Sequence, residues 1–165
     1  MRVGTGWDIH RLVEGRPLRI GGVTIESDKG ALGHSDGDVL LHALIDALLG
    51  ACALGDIGKH FPPDDENLKG IDSTILLNRV LPLLEGYEIV NIDCTVILER
   101  IRLAPYIDRI RESIASLLSL DISSVSVKAK SAEMMMMEVG TGDALIAQAA
   151  VLIEEKDSKE DLYWV

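Results

Sequence analysis

The chain opens on strict alternation. Over residues 2–10, Val3, Thr5, Trp7 and Ile9 fall on one side, and Gly4, Gly6, Asp8 and His10 on the other, which is the period of a β-strand. Leu18–Ile20 and Val23–Ile25, joined by Gly21-Gly22, read as a β-hairpin. A loop over Glu26–Gly33 leads through His34–Asp38 into an apolar helix that ends near Gly50. Residues 56–70 carry Pro62, Pro63 and a cluster of acidic side chains, the composition of an exposed, mobile loop. Asp72 and Ser73 cap a second helix that runs to about Glu85. Val90–Leu98 alternates again, with Val90, Ile92, Cys94, Val96 and Leu98 inward, and Pro105 suits the first turn of a third helix that runs to about Leu118. Val125–Ala129 and Ala144–Ile153 complete the strands. Strands and helices interleaved in this way predict an α+β fold, a two-layer sandwich with a mixed β-sheet and helices packed on one face. One domain is expected over residues 1–155, followed by a charged, loosely held tail over 156–165.

Composition narrows the picture. At 165 residues and 17.9 kDa the chain suits one domain, and with 47% hydrophobic but only 4% aromatic residues its core must be aliphatic. The formal charge of −11 repels phosphate backbones and argues against nucleic-acid binding, so an anionic substrate needs metal ions or a local cluster of donors. Cys52 and Cys94 form no disulfide framework or zinc motif, which points to a reducing compartment. The N-terminus reads as a strand rather than a signal peptide, and no apolar run reaches the roughly 18 residues of a membrane span. A cytoplasmic protein with no membrane partner is expected; a plastid protein stripped of its transit peptide has the same appearance.

All four histidines, His10, His34, His42 and His60, lie in the first 60 residues. Asp8 and His10 leave the same strand face. Of the twelve residues Asp38–Leu49, nine are apolar, and the exceptions Asp38, His42 and Asp46 stand four apart in one line. Such a line faces solvent in an ordinary surface helix. A narrow one without Lys, Glu or Gln, on a helix otherwise apolar, also suits a metal ligand with hydrogen-bonding partners, Asp46 being one turn from the second ring nitrogen of His42. Two histidines and a carboxylate with one position open is a common catalytic zinc arrangement. Ser35 and Asp38 make a capping-box-like helix start, and His34 beside it is placed either to meet a phosphate or for ordinary loop hydrogen bonding.

Segments 2–10 (RVGTGWDIH), 33–42 (GHSDGDVLLH), 46–50 (DALLG) and 54–62 (LGDIGKHFP) together resemble the 2-C-methyl-D-erythritol 2,4-cyclodiphosphate synthase family of the non-mevalonate isoprenoid pathway. The resemblance spans the chain to about Glu155. It implies a lyase that converts 4-diphosphocytidyl-2-C-methyl-D-erythritol 2-phosphate to the 2,4-cyclodiphosphate and CMP, the substrate's own 2-phosphate attacking its β-phosphorus. It further implies zinc on Asp8, His10 and His42, and a second divalent ion, magnesium or manganese, on Glu133. His34 then acts as a phosphate-side transition-state stabiliser with Ser35 beside it, Ser131 is a second catalytic stabiliser, and Asp56, Ile57 and Gly58 contact the methylerythritol part under a closing loop from Phe61 to Asp65. Arg102, Leu103 and Ala104 fall in the cytidine-binding segment, and Lys130 and Ala132 beside Ser131. A homotrimer is implied, its sheets meeting at the trimer axis and each active site built between subunits.

The second half departs from the family pattern. In 98–104 (LERIRLA), Ile101 stands for the usual proline and Arg102 for the usual lysine, and Lys130 replaces a threonine. Met134–Met137, Glu138, Val139 and Gly140–Ala144 replace a glycine-rich run whose arginine is absent, with Thr141 near its place. The methionine run itself reads as core filling. Two other functions fit the first half: a metal-dependent phosphohydrolase that uses water, and a non-catalytic trimer that binds zinc or an isoprenoid phosphate.

Overall fold

The structure, a computed structural model, describes residues 1–156. The tail expected over 156–165 lies outside the described residues beyond Lys156. Among the described residues seven strands form: β1 (Arg2–Glu14), β2 (Leu18–Ile20), β3 (Val23–Ile25), β4 (Lys29–Leu32), β5 (Tyr87–Ile97), β6 (Val125–Lys130) and β7 (Ala144–Glu155). The helices are α1 (Val39–Ala51), α2 (Ile57–His60), α3 (Ser73–Val80), α4 (Ile107–Leu118) and α5 (Glu138–Thr141). Five strands build a mixed sheet in the order β4-β1-β7-β5-β6, antiparallel except for β5–β6, and β2–β3 is a separate hairpin. The α+β sandwich read from the sequence is the one observed. Among the described residues no helix is long and apolar enough to cross a membrane.

The contact of α1 with β1 fixes the middle of the molecule. The alternation of β1 turns Gly4 and Gly6 toward the helix, and Ala43, Ala47 and Ala51 recur every fourth residue on the helix side that meets them. A Cβ on Gly6 would stand 1.9 Å from the Ala43 carbonyl oxygen, and one on Gly4 1.9 Å from that of Ala47. Helix and strand therefore touch backbone to backbone, and His42, next to Ala43, is carried onto β1. The opposite sheet face stays open: Val3, Trp7, Ile9 and Leu32 are 68%, 51%, 44% and 49% exposed.

Asp38 begins α1 alone. Its carboxylate accepts the Leu41 N–H at 3.0 Å and the Gly21 and Gly22 N–H groups of the β2–β3 turn at 2.8 and 2.6 Å. Ser35, expected to share the cap, instead accepts the Gly37 N–H at 3.1 Å. Burial pushes the Asp38 carboxyl up, against the three backbone hydrogen bonds that favour its charge. Asp38→Ala removes the cap and orphans two turn N–H groups, so a loss of about 3–5 kcal/mol is expected in urea unfolding. Asp38→Asn keeps an acceptor oxygen and loses less.

Several local expectations change. Lys29–Leu32, read as loop, is strand β4, paired to residues 11–14 of β1. The loop over 56–70 contains α2 and a 3-10 turn whose Leu68 is buried. The second helix gives way at Pro82 to a 3-10 turn over Leu81–Leu84. Val90 sits in a β-bulge between Ile89 and Asn91 rather than in the inward row. Met134–Met137 does not fill the core: the four side chains are 84%, 64%, 54% and 83% exposed, on a backbone where Met134, Met136 and Met137 take positive φ.

Candidate metal and substrate site

Asp8 and His10 project from β1 toward α1, and His42 comes down from the helix to meet them. The Asp8 Oδ2, His10 Nε2 and His42 Nδ1 atoms form a triangle with sides of 3.0, 3.1 and 3.0 Å. The far nitrogens define the protons. His10 Nδ1 lies 2.9 Å from the Leu32 carbonyl oxygen, which can only accept, so this nitrogen carries hydrogen and Nε2 turns a lone pair inward. His42 Nε2 lies 3.0 Å from the hydroxyls of both Ser35 and Ser73. Burial opposes the charge on Asp8, but the His10 and His42 rings beside it outweigh burial and hold the carboxyl at about 2. Burial likewise opposes charge on His10, yet the Asp8 carboxylate, which would accept from the charged ring, raises its pKa on balance. Two imidazole lone pairs and a carboxylate converging on one point repel each other unless a cation joins them. That donor set fits a divalent metal.

The two aspartates expected behind His42 are elsewhere. Asp46 accepts the Ile57 N–H at 2.7 Å and holds the start of α2, while Asp38 serves the helix cap. The reason is directional: helical side chains lean toward the N-terminus, so the His42 ring tilts away from Asp46 toward the residues that precede α1. Ser73, 0% exposed, stands where Asp46 was expected. Its hydroxyl donates to Asp36 Oδ1 at 2.5 Å, and the Ser73 N–H donates to Asp36 Oδ2 at 3.2 Å. Neither Ser73 nor Asp36 was signalled locally, because Ser73 reads simply as part of a helix start 31 residues from His42.

Beside the triangle opens a pocket of ≈ 220 Å³ whose polar lining is His10, His34, Ser35 and His42 and whose apolar wall includes Phe61 and Leu68. Ile57 and Gly58 also line it. His34 is at its mouth, with Nε2 3.2 Å from the Asp65 carbonyl oxygen. Asp56 caps α2 through the Lys59 N–H at 2.9 Å, and Asp65 caps the 3-10 turn through the Asn67 N–H at 2.9 Å. His60 lies outside this pocket, its Nε2 3.2 Å from the Leu54 carbonyl.

The other expected site residues form a second group at the far edge of the sheet. Ile9, Ile146, Ile97 and Lys130 are in register across β1, β7, β5 and β6, so three strand spacings, about 14 Å, separate the ends of that row. Just past Lys130, the Ser131 hydroxyl is 3.0 Å from Glu133 Oε1 and accepts the Glu133 N–H at 2.8 Å. Glu99, which sequence reasoning passed over, fixes the turn by accepting the Ala132 N–H at 3.0 Å. Ala132 is buried against Val139, Ala144 and Ile146. Arg102 faces a separate opening of ≈ 600 Å³ with Arg100, Lys29 and Tyr106, Leu103 is a core residue at 1% exposure, and Ala104 starts an exposed 3-10 turn. One chain thus brings Asp8, His10, His34, Ser35, His42, Ile57, Gly58 and Phe61 together and leaves Lys130, Ser131 and Glu133 apart from them.

The model of the YgbB family matches residues 1–154. The chain is 55% identical over 157 residues to the 2-C-methyl-D-erythritol 2,4-cyclodiphosphate synthase of Chloroherpeton thalassium, covering 94% of this chain and 99% of that one. To the enzyme of the same name from Clostridium botulinum it is 56% identical over 135 residues, 81% of this chain and 87% of that one. Among solved structures, the bifunctional IspDF of Campylobacter jejuni superposes with a TM-score of 0.90 at 35% identity, over 94% of this chain and 42% of that longer one. A CDP-bound 2C-methyl-D-erythritol-2,4-cyclodiphosphate synthase superposes with a TM-score of 0.84 at 37% identity, over 93% of this chain and the whole of that one.

Proposed function

The chain belongs to the YgbB family, and on that premise we propose how its own residues do the family's work. It is a lyase that converts 4-diphosphocytidyl-2-C-methyl-D-erythritol 2-phosphate to 2-C-methyl-D-erythritol 2,4-cyclodiphosphate and CMP. The 2-phosphate attacks the β-phosphorus within one molecule, so the protein supplies no nucleophile and works by positioning and charge neutralisation. The observation that carries the assignment of roles is the triangle of Asp8, His10 and His42. Tetrahedral zinc with bonds of ~2.0–2.2 Å keeps its ligand atoms roughly 3.3 Å apart, close to the sides of 3.0–3.1 Å found here. Zinc held there supplies a Lewis acid and a template for the phosphates.

The protein's own groups do the rest. His34 and Ser35, at the mouth and in the lining of the pocket, donate hydrogen bonds to phosphate oxygens. Asp56, Ile57 and Gly58 meet the methylerythritol part, with the segment from Phe61 to Asp65 over it. Ser131 and Glu133, with Lys130, Arg102, Leu103, Ala104 and Ala132, hold the cytidine diphosphate end, and Glu133 takes magnesium or manganese. Because about 14 Å separates the two groups within a chain, the second comes from a neighbouring subunit. A homotrimer closed over the open sheet face of Val3, Trp7 and Ile9 supplies that neighbour. This reading places the protein in the cytoplasm of a bacterial-type cell.

The test is CMP release from the diphosphocytidyl substrate with zinc and magnesium, before and after chelation, with phosphorus NMR of the product. A cyclic product and a rate that falls at least about 100-fold on chelation are expected. A rate indifferent to chelation overturns the metal assignment. A linear product makes the protein a phosphohydrolase, and metal binding without CMP release makes it a binding module.

A further inference from the structure

We infer that Ser73 and Asp36 are positioning residues that fix the hydrogen of His42 on Nε2 and so leave Nδ1 bare for the metal. The inference rests on the zinc reading of Asp8, His10 and His42. It follows from counting hydrogens. A serine hydroxyl has one proton to give. That of Ser73 goes to Asp36 Oδ1, at 2.5 Å, so at its 3.0 Å contact with His42 Nε2 the serine oxygen can only accept. The Ser73 N–H donates to the other Asp36 oxygen at 3.2 Å, which prevents the carboxylate from turning away. Arg19 lies 3.4 Å from Asp36 and 3.1 Å from Asp72, an ion pair that further fixes the Asp36 carboxylate in place. The whole line is shielded: Ser73 is 0% exposed and the Asp36 side chain 12%.

The second hydroxyl at His42 Nε2 has a different role. Ser35 also lies 3.0 Å away, but its oxygen accepts the Gly37 N–H at 3.1 Å and, among the described residues, no carboxylate holds its proton. Its proton is therefore free for an anion in the pocket, while that of Ser73 is not. One serine orients the metal ligand, and the other faces the substrate. The Asp36–Ser73–His42 line does the work of the carboxylate commonly found behind a metal-bound histidine, with a hydroxyl interposed.

Long-range proton–nitrogen NMR of the imidazoles, in zinc-free protein near pH 8.5, reads the tautomer without reference to activity. The parent is expected to show His42 as the Nε2–H form. Ser73→Ala is expected to show mixed tautomers and zinc binding 10–100-fold weaker in competition with a chelator. Turnover then falls at limiting zinc and recovers at saturating zinc, with KM unchanged. Asp36→Asn, which keeps the shape but holds the Ser73 proton less firmly, shifts both readouts the same way by less. Ser35→Ala is expected to keep the tautomer and zinc affinity and raise KM. A Ser73→Ala protein with the parent's tautomer and zinc affinity overturns the inference. A parent that shows the Nε2–H form yet binds no zinc leaves the tautomer assignment standing and overturns the metal reading instead.

Discussion

Replacing His42 with alanine is expected to lower turnover at least about a thousandfold and to abolish tight zinc binding, with the fold retained. On the proposed metal mechanism several kcal/mol of transition-state charge stabilisation depend on the ion, and each 1.36 kcal/mol is a factor of about ten in rate. Asp8 and His10 alone leave a two-ligand site, too few for the tetrahedral geometry. The helix that carries His42 does not depend on it: Asp38 caps α1, and ten of its residues, among them Ala43, Ala47 and Ala51, are buried independently of the ring. Circular dichroism and the urea midpoint should therefore stay near the parent's, while equilibrium dialysis shows the zinc lost. Full activity in this variant would remove the metal from the mechanism.

A stability loss as large as that of Asp38→Ala is expected at Gly6. Alanine there places a methyl 1.9 Å from the Ala43 carbonyl oxygen and 2.8 Å from the Ala47 nitrogen, both backbone atoms that no rotamer change can move. Relief requires α1 to lift from β1, and overpacking of this kind costs 1–3 kcal/mol in side-chain cores and more against rigid backbone; about 3–5 kcal/mol is expected here, read from denaturant midpoints. The same lift draws His42 off Asp8 and His10, so zinc affinity falls along with stability. Gly50 is the control. A methyl there finds its nearest neighbour, the Thr5 carbonyl oxygen, at 3.8 Å, so Gly50→Ala should raise stability by about 0.8–1 kcal/mol through helix propensity alone. Equal losses at the two glycines would refute the backbone contact.

The parts of this fold that were legible in the sequence are those with a strong local period. The alternation of β1, the apolar run of α1 and the Gly21-Gly22 turn each predict their element within a few residues, and Asp8, His10 and His42 stand out on them. What stayed hidden depends on distant partners. Strand β4 is four residues long, and Gly30 within it is chosen by the Pro17 carbonyl oxygen, 2.2 Å from where a Cβ would be. Spacing put Asp46 on the same helix line as His42 but could not show which way the ring tilts. The partner that occupies its place, Ser73, arrives with α3 from the far side of the pocket. Likewise the separation of Ser131 and Glu133 from the histidines follows from the strand order, which no local pattern encodes.

The open sheet face has a consequence for the life of the chain. A newly synthesised copy displays Val3, Trp7 and Ile9 in a row on strand β1, with Leu32 on its neighbour, as soon as the sheet forms. Until another surface covers that row, each folded copy carries an adhesive patch, through which copies that meet in the wrong orientation aggregate. Dilution, slow synthesis or a damaged neighbour would each lengthen that exposure. On the homotrimer proposed above, the yield of active protein is set as much by how quickly copies find one another as by how firmly any one of them is folded.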